Sequence, residues 1–219
     1  MNESYELIEK YLDSILEVNK LINLTRITDL YQARVLHVED SLSALEDINA
    51  APEGLYGDLG SGGGFPGVPL GIATGRQTVL VDSVGKKMKA VENVLIKLSL
   101  SPQISTHIGR IEDYSQEKKN QFSVLTARAL TQLPSLIELA SPLLAIGGRL
   151  ICYKAQIDED EIARAVSIEN KVGMKLLYRR NFILSDNETY REILVFEKTK
   201  KPKMVLPRRV GLAQKNPLA

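Results

Sequence analysis

The sequence predicts an α/β protein in which a doubly wound, mostly parallel sheet follows a helical extension and ends in an antiparallel edge. Short β-branched runs alternate with helix-length segments through the middle of the chain, and a glycine-rich stretch follows the first run directly. The last two apolar runs follow one another without an intervening helix. Alternation of this kind is typical of βαβ units, whose parallel sheet is buried on both faces.

The first 54 residues are predicted to form the helical extension. Over residues 5–22, apolar residues recur at spacings of four, three and four, namely at Tyr11, Ile15, Val18 and Ile22. This spacing lines one face of an amphipathic helix. A second helix is predicted from Thr28, a residue type favoured at the N-cap, to about Leu45.

Residues 55–198 are predicted to form the sheet domain, with seven strands. Five parallel strands are expected at 54–60, 77–82, 103–109, 122–127 and 148–154, with helices between them, notably at 84–99 and 131–145. Two longer runs, 173–184 and 190–198, are expected to pair antiparallel at one edge.

Composition is that of an ordinary globular chain: 219 residues, 44% hydrophobic and 25% charged. No apolar run approaches the roughly 18 residues of a membrane span, and the start resembles no secretory signal, so a cytoplasmic protein without a membrane partner is expected. With one cysteine, Cys152, and two histidines, His37 and His107, neither a disulfide framework nor a metal site is expected.

The charge is unevenly distributed, although the net charge is only +1. Seven basic residues and no acid lie between Lys198 and Lys215. Residues 199–219 are therefore predicted to be a basic tail. Such a tail on an acidic body indicates a polyanionic partner, and the alternative is a tail that only improves solubility.

The stretch YGDLGSGGGFPG, residues 56–67, places six glycines where a strand meets a helix. A ligand can approach the backbone closely at such a turn, and the helix N-terminus presents its amide groups there. Gly62, Gly64 and Gly67 match the G-x-G-x-x-G pattern, and Asp82, at the end of the second strand, is placed to hold a ribose diol. The glycine pattern is therefore also typical of a nicotinamide-dependent oxidoreductase, which is one interpretation of the sequence.

Asp58 favours a different ligand. A carboxylate two residues before Gly60 is unfavourable beside a pyrophosphate, whereas a ligand with a sulfonium and an amino group is attracted to it. The sequence therefore favours S-adenosylmethionine as the cofactor.

From about Leu21 onward the chain resembles the bacterial small-subunit (16S) ribosomal RNA guanine-N7 methyltransferases, also called glucose-inhibited division protein B. The resemblance rests on ordered matches: NLTRI (23–27), HVEDSL (37–42), DLGSGGGFPGVPL (58–70), LVDSVGKKMKAVE (80–92), GRIEDY (109–114), TARAL (126–130) and LPRRVGLAQKNPL (206–218). It implies a Rossmann-like class I methyltransferase fold and S-adenosylmethionine as cofactor. The chain departs from the family pattern at Glu39 and at Ala155, where the family usually has an apolar residue and a glycine respectively.

Carried over by position, the resemblance implies cofactor contacts at Gly60, Phe65, Ile111, Glu112 and Arg128. Gly60 permits close approach of the cofactor to the backbone, and the Phe65 ring can pack against the cofactor. The main chain at Ile111 and the carboxylate of Glu112 can bind the polar edge of adenine. The glycine turn at Gly62 and the carboxylate of Asp82 complete the predicted cofactor site.

Guanine N7 is a lone-pair nucleophile, so methyl transfer to it requires positioning and no general base. No catalytic base is assigned. Cys152, inside a predicted strand, is expected to be a buried hydrophobe and not a nucleophile. His37 is expected to make a polar contact that supports the fold or the substrate face.

Cationic side chains are predicted to pair with RNA phosphates, at Lys86, Arg128, Lys154, Arg208 and Arg209. The expected partner is small-subunit ribosomal RNA or the small ribosomal subunit. Three alternatives stay open at this point: the oxidoreductase, a methyltransferase with a small-molecule acceptor, and a ribosome assembly factor without turnover. The sequence predicts no oligomeric state.

Overall fold

A computed structural model describes residues 3–219, so the first two residues of the predicted extension lie outside it. These residues form one seven-stranded sheet with the strand order β3-β2-β1-β4-β5-β7-β6. The strands are β1 (Leu55–Leu59), β2 (Thr78–Asp82), β3 (Ile104–Ile108), β4 (Phe122–Arg128), β5 (Leu144–Lys154), β6 (Met174–Ile183) and β7 (Tyr190–Lys198). Strands β1 to β5 are parallel, and β7 is antiparallel to both β5 and β6. The predicted fold class is confirmed.

In the N-terminal extension, the predicted second helix is present as a continuous helical run over residues 30–42, whose middle part is a π-helical turn, and a separate short helix follows it. Helix α1 (Glu3–Asn19) is followed by a short helix α2 (Leu30–Ala33), a π-helical turn (Arg34–Glu39), and the short helices α3 (Asp40–Leu42) and α4 (Leu45–Asn49). The predicted N-cap is one residue off, because the side chain of Asp29 accepts the hydrogen bond from the Gln32 N–H. Aspartate at this position satisfies an otherwise unpaired amide of the first turn.

Helices cover both faces of the sheet. They are α5 (Gly67–Thr74), α6 (Gly85–Lys97), α7 (Ile111–Glu117), α8 (Leu133–Ala140), α9 (Glu159–Ser167), α10 (Glu169–Val172) and α11 (Leu212–Lys215). On one face α1, α5 and α6 pack in one apolar cluster, and on the other α7 to α10 pack in a second. No helix formed by residues 3–219 has the length and apolar content that crossing a bilayer requires.

The segment 199–219 packs against the sheet domain and is not a free tail. Leu206 and Ala213 are buried in the same apolar cluster as α8, and the hydroxyl of Ser135 in α8 donates to the Ala213 carbonyl. Lys198 at the end of β7 is also buried, where its ammonium donates to three neutral oxygens, and burial lowers its pKa to about 8. This basic segment is therefore a structural element that packs against the sheet domain.

Of the three glycines in the G-x-G-x-x-G pattern, two, Gly64 and Gly67, are required by packing. Gly64 has a φ of 84°, and a Cβ there would lie 2.1 Å from the Tyr11 hydroxyl of α1. A Cβ on Gly67 would lie 2.3 Å from a methyl group of Leu80 in β2. The glycines therefore let α1 pack on the glycine turn and α5 pack on β2, in addition to any ligand that the turn receives.

We predict that Gly64→Ala lowers the free energy of unfolding by about 2–4 kcal/mol, from the left-handed backbone and the forced contact with Tyr11. Chemical denaturation of the single variants and of Gly64→Ala/Tyr11→Phe measures this. Because the nearest atom is the Tyr11 hydroxyl, Gly64→Ala should cost less in the Tyr11→Phe background. Equal costs in both backgrounds would contradict the packing explanation.

Candidate active site

The candidate site lies at the carboxyl ends of the central parallel strands. The chain leaves β1 toward β2 and β3, then returns to place β4 on the other side of β1. This switch in direction opens a crevice between the ends of β1 and β4, where open α/β sheets bind their ligands. Two depressions border the segment 128–131 at the end of β4: Leu130 lines one of them, and Arg128, Ala129 and Thr131 line the other.

The first depression, the cofactor cleft, lies between the glycine turn and the ends of β2 and β3. Gly60, Asp82, Ile111 and Glu112 all line it, so the structure brings together four of the predicted cofactor residues. Gln214 of α11 lines the same cleft. Sequence reasoning missed Gln214, which follows all the other lining residues in the chain at a long distance and carries no local signal.

Asp82 braces the glycine turn. One carboxylate oxygen accepts the Gly62 N–H at 2.9 Å, and the other accepts the Val84 N–H at 2.8 Å. A carboxylate has about four lone-pair sites, so two remain for the hydroxyl groups of a ribose. The predicted role of Asp82 therefore fits its position, and Gly62 reaches the site through its backbone.

Glu112 is buried and fastens the C-terminal segment to the cofactor cleft. Its carboxylate accepts the Gly211 N–H at 2.7 Å, immediately before α11. The contact with adenine that the resemblance implies stays a prediction. The same carboxylate couples the cleft to the segment that carries Gln214.

Phe65 does not line the cofactor cleft. Its ring is buried, stacks on the His37 ring with centroids 4.6 Å apart and meets the Tyr11 ring edge-on. Direct packing of the Phe65 ring against the cofactor stays a prediction. In the structure, Phe65 joins the glycine turn to the N-terminal extension.

His37 lies in the π-helical turn and is held as a neutral ring. Burial, and then the charge of Arg128, lower its pKa to about 4. Its Nε2 is 2.9 Å from the Thr25 hydroxyl, while its buried Nδ1 has no hydrogen-bond partner within residues 3–219. A buried polar atom without a partner is costly, and such atoms are uncommon outside functional sites.

The second depression, the acceptor cavity, has a volume of about 420 Å³ and lies between the N-terminal extension and the ends of β4 and β5. Arg128, His37, Tyr153 and Lys154 line it, together with Ala155. This volume lies in the range of small-ligand pockets, and apolar walls with a few polar groups are typical of such sites. Arg128 therefore faces the acceptor cavity and not the cofactor cleft.

Arg128 is held by the buried carboxylate of Asp40. Its guanidinium donates to Asp40 at 2.8 Å and to the Leu36 carbonyl at 2.9 Å. The second oxygen of Asp40 accepts from Arg191 at 3.1 Å. Asp40 lies in the matched segment HVEDSL, but sequence reasoning assigned it no role.

Two further features shape the wall of the acceptor cavity. Lys154 donates to the Thr131 carbonyl at 3.1 Å and to Glu161 at 2.7 Å, so its charge is already paired. Ala129 has a φ of 52°, which is uncommon for a residue other than glycine. Backbone strain of this kind persists where the surrounding structure enforces it, often at ligand sites.

The two departures from the family pattern have different surroundings. The Glu39 carboxylate accepts the Ser185 N–H at 2.7 Å and so ties the extension to the β6–β7 turn. Ala155 is exposed at the rim of the acceptor cavity, directly after β5.

Asp58 lies behind the glycine turn, fully buried, and does not line the cofactor cleft. One of its oxygens accepts the Gly67 N–H at 3.0 Å and the other accepts the Thr126 hydroxyl at 2.7 Å. Burial raises its pKa to about 6. Its role in the structure is to connect β1, α5 and β4, which differs from the direct attraction of a sulfonium that its sequence position suggested.

The cations predicted to bind RNA divide into paired and unpaired groups. Arg128 and Lys154 are paired as described, and Arg208 forms a two-bond ion pair with the buried Glu138, with both N–O distances at 2.6 Å. Lys86 and Arg209 are exposed and form no ion pair within residues 3–219. Pairing with RNA phosphates stays a prediction for all five residues. Lys86 and Arg209 could make it without breaking an ion pair within the protein.

Comparison with known proteins identifies the family. The model of the family described as GidB, rRNA small subunit methyltransferase G, matches residues 4–182. The chain belongs to this family. A protein named ribosomal RNA small subunit methyltransferase G from Lactobacillus johnsonii is 33% identical over 213 residues, covering 95% of this chain and 89% of the relative. One of the same name from Exiguobacterium is 33% identical, covering 99% and 94%.

Solved structures show the same fold at low sequence identity. An O-methyltransferase from Bacillus cereus in complex with S-adenosylhomocysteine has a TM-score of 0.61 and 18% identity, covering 86% of this chain and 90% of that one. The tRNA methyltransferase TrmK from Bacillus subtilis has a TM-score of 0.56, also at 18% identity, covering 73% and 65%. The fold is that of class I methyltransferases, and the protein is an S-adenosylmethionine-dependent enzyme. The oxidoreductase reading is thereby overturned.

We predict that Asp58→Asn removes a titration that destabilises the wild type above pH 4. The folded pKa of about 6 exceeds the ordinary value of 3.8, so the folded state holds the extra proton between these values and stability falls as pH rises through them. From pH 4 to 7 the wild type should therefore lose up to about 3 kcal/mol relative to Asp58→Asn. Denaturation of both proteins across this range measures the difference; a constant difference would contradict the prediction.

We predict that Arg208→Gln lowers the free energy of unfolding by about 3 kcal/mol, because it leaves the buried Glu138 carboxylate without its partner. S-adenosylmethionine affinity should fall as well, since the segment docked by Arg208 carries Gln214. The neighbouring Arg209→Gln is the matched control and should change neither stability nor cofactor affinity. Denaturation and calorimetry measure the two effects, and equal behaviour of both variants would refute the docking role.

Proposed function

We propose that this enzyme transfers the methyl group of S-adenosylmethionine to N7 of one guanine in small-subunit ribosomal RNA, and that the guanine enters the acceptor cavity. The observation that carries the proposal is the pairing of this cavity with the cofactor cleft across the shared segment 128–131, in a chain of the rRNA small subunit methyltransferase G family.

The residues present fit the cofactor. Asp82 keeps free lone pairs for a ribose diol, Gly60 leaves its backbone open, and the main chain at Ile111 borders the same cleft. When bound, S-adenosylmethionine supplies an electrophilic methyl group on a sulfonium.

The side chains of the acceptor cavity support a reaction driven by positioning. The lone pair of guanine N7 is free before attack, so no proton acceptor is required. His37 is neutral and bonded to Thr25, while the Asp40 carboxylate is occupied by two arginines. Burial raises the pKa of the Cys152 thiol to about 12, which leaves it without nucleophilic thiolate. None of these groups is therefore needed as a proton acceptor or as a nucleophile in the proposed reaction.

Arg128 is the residue best placed to orient the base. Its guanidinium faces the cavity, and its position is enforced by Asp40 and the Leu36 carbonyl. Arginine donates readily to the O6 carbonyl of guanine, which neighbours N7. A donor at O6 aligns N7 without blocking its lone pair.

We predict that Arg128→Ala lowers kcat/KM for RNA about 100-fold, because the base loses its alignment, and leaves S-adenosylmethionine affinity within about threefold. Transfer of labelled methyl groups into small ribosomal subunits lacking their native modifications, into naked rRNA and into bulk tRNA gives the rates, and nucleoside analysis gives the product. Calorimetry gives the cofactor affinity.

The exposed Arg164 of α9 provides a control variant, Arg164→Ala, with the same loss of charge away from the cavity. A fall in cofactor affinity equal to the fall in rate would assign Arg128 to the cofactor. Absence of N7-methylguanosine from every RNA, with cofactor bound, would favour the small-molecule acceptor or the assembly factor.

A further inference from the structure

A third depression, the N-terminal cleft, lies beside the active site and has no part in the function described above. It has a volume of about 730 Å³ and lies between the end of α1, the segment 20–28 and the first turn of α6. Lys20, Arg26 and Lys87 line it together with Asn19, Asn23 and Thr25. Its charged lining residues are all cations.

The cations of the N-terminal cleft differ in how far they are already paired. Lys20 forms an exposed ion pair with Glu17 at 2.7 Å. Within residues 3–219, Arg26 and Lys87 form none. Two charges therefore remain available to an anion in the cleft.

The first turn of α6 adds to the positive potential. This 13-residue helix has no acid in its first turn, where Lys86 and Lys87 lie instead. Cations at a helix N-terminus oppose the helix dipole and are locally unfavourable. Of these two lysines, Lys87 lines the N-terminal cleft, so its ammonium is available there to a bound phosphate.

The wall of the N-terminal cleft is held rigidly by Asn19. Its side-chain amide donates to the Thr25 carbonyl at 3.0 Å, and its oxygen accepts the N–H groups of Leu24 and Thr25 at 2.6 and 2.9 Å. Arg26 therefore extends from a fixed backbone, which reduces the entropy lost when it binds a ligand.

The segment 23–28 also forms a wall of the acceptor cavity. Thr25 lines the N-terminal cleft and bonds His37, while His37 and Ile27 line the cavity. A chain of nucleotides crossing this segment would place one base in the cavity and its neighbouring phosphates in the cleft.

We propose that the N-terminal cleft binds the phosphates of the RNA strand next to the target guanine, through Arg26 and Lys87. This inference rests on the proposed function for the identity of the RNA. It places phosphate contacts at Arg26 of the N-terminal extension and Lys87 of α6, in addition to any made by the unpaired Arg209 of the C-terminal segment.

Equilibrium binding of naked small-subunit rRNA over a series of salt concentrations tests the proposal directly, without methyl transfer. For Arg26→Gln/Lys87→Gln we expect Kd to rise about tenfold or more, and the slope of log Kd against log salt to fall by about two, one for each lost phosphate contact. The affinity for S-adenosylmethionine should stay unchanged. The charge-conserving variant Arg26→Lys/Lys87→Arg should retain most of the RNA affinity.

The matched control is Lys97→Gln/Lys119→Gln, which removes two exposed charges at the opposite, amino edge of the sheet, one of them from the same helix α6. Thermal unfolding of all variants identifies any that fail to fold. If the cleft variant and this control bind rRNA equally, the inference is wrong. A loss of cofactor affinity with unchanged rRNA binding also overturns it, by assigning the cleft to the cofactor.

A methyl-transfer assay on the same proteins separates this inference from the proposed function. Weak rRNA binding by the cleft variant supports the cleft even if the wild type transfers no methyl group to rRNA, an outcome that refutes only the proposed function. Transfer by the wild type, with rRNA binding equal in cleft and control variants, refutes only the inference.

Discussion

The buried carboxylate of Asp40 is the interaction on which the acceptor cavity depends. It joins the N-terminal extension to two strands of the sheet, through Arg128 at the end of β4 and Arg191 in β7. Tyr153 in β5 adds a third connection by donating to the Ser41 carbonyl at 2.6 Å. Without these contacts the segment 34–42 would lose its direct links to β4, β5 and β7 beside the acceptor cavity.

Such pairing also determines which cations of this protein are already bound to carboxylates within the fold. Removing one partner of a buried ion pair leaves an uncompensated charge at a cost of about 3–5 kcal/mol, so Arg128 and Arg208 are bound to the fold by their carboxylates. The cations free to meet a polyanion are exposed ones such as Lys86 and Arg26. Internal pairing thus removes Arg208 from the cations that RNA would meet and leaves Arg209, Arg26 and the first turn of α6.

The sheet could be predicted from the sequence because its signals are local: short β-branched runs, the glycine-rich turn after the first run, and the alternation of strands with helices along the chain. The sequence placed Asp82 and the glycine turn at the correct strand ends for the same reason. It could not predict that Arg128 pairs with a residue 88 positions away, or that Gly211 docks on Glu112, 99 positions away. It did not predict the π-helical turn at Arg34–Glu39, which lies inside the helical run over residues 30–42.

Two groups near the glycine turn respond to pH in opposite directions. The pKa of His37 is lowered to about 4, so the unfolded state binds the proton first and stability is lost as pH falls from about 6.5. The raised pKa of Asp58 has the reverse effect over nearly the same range. Since each shift corresponds to about 3 kcal/mol, the two contributions largely cancel in the wild type. A flat stability profile would therefore be consistent with two strongly perturbed groups, and only variants that remove one of them can resolve the other.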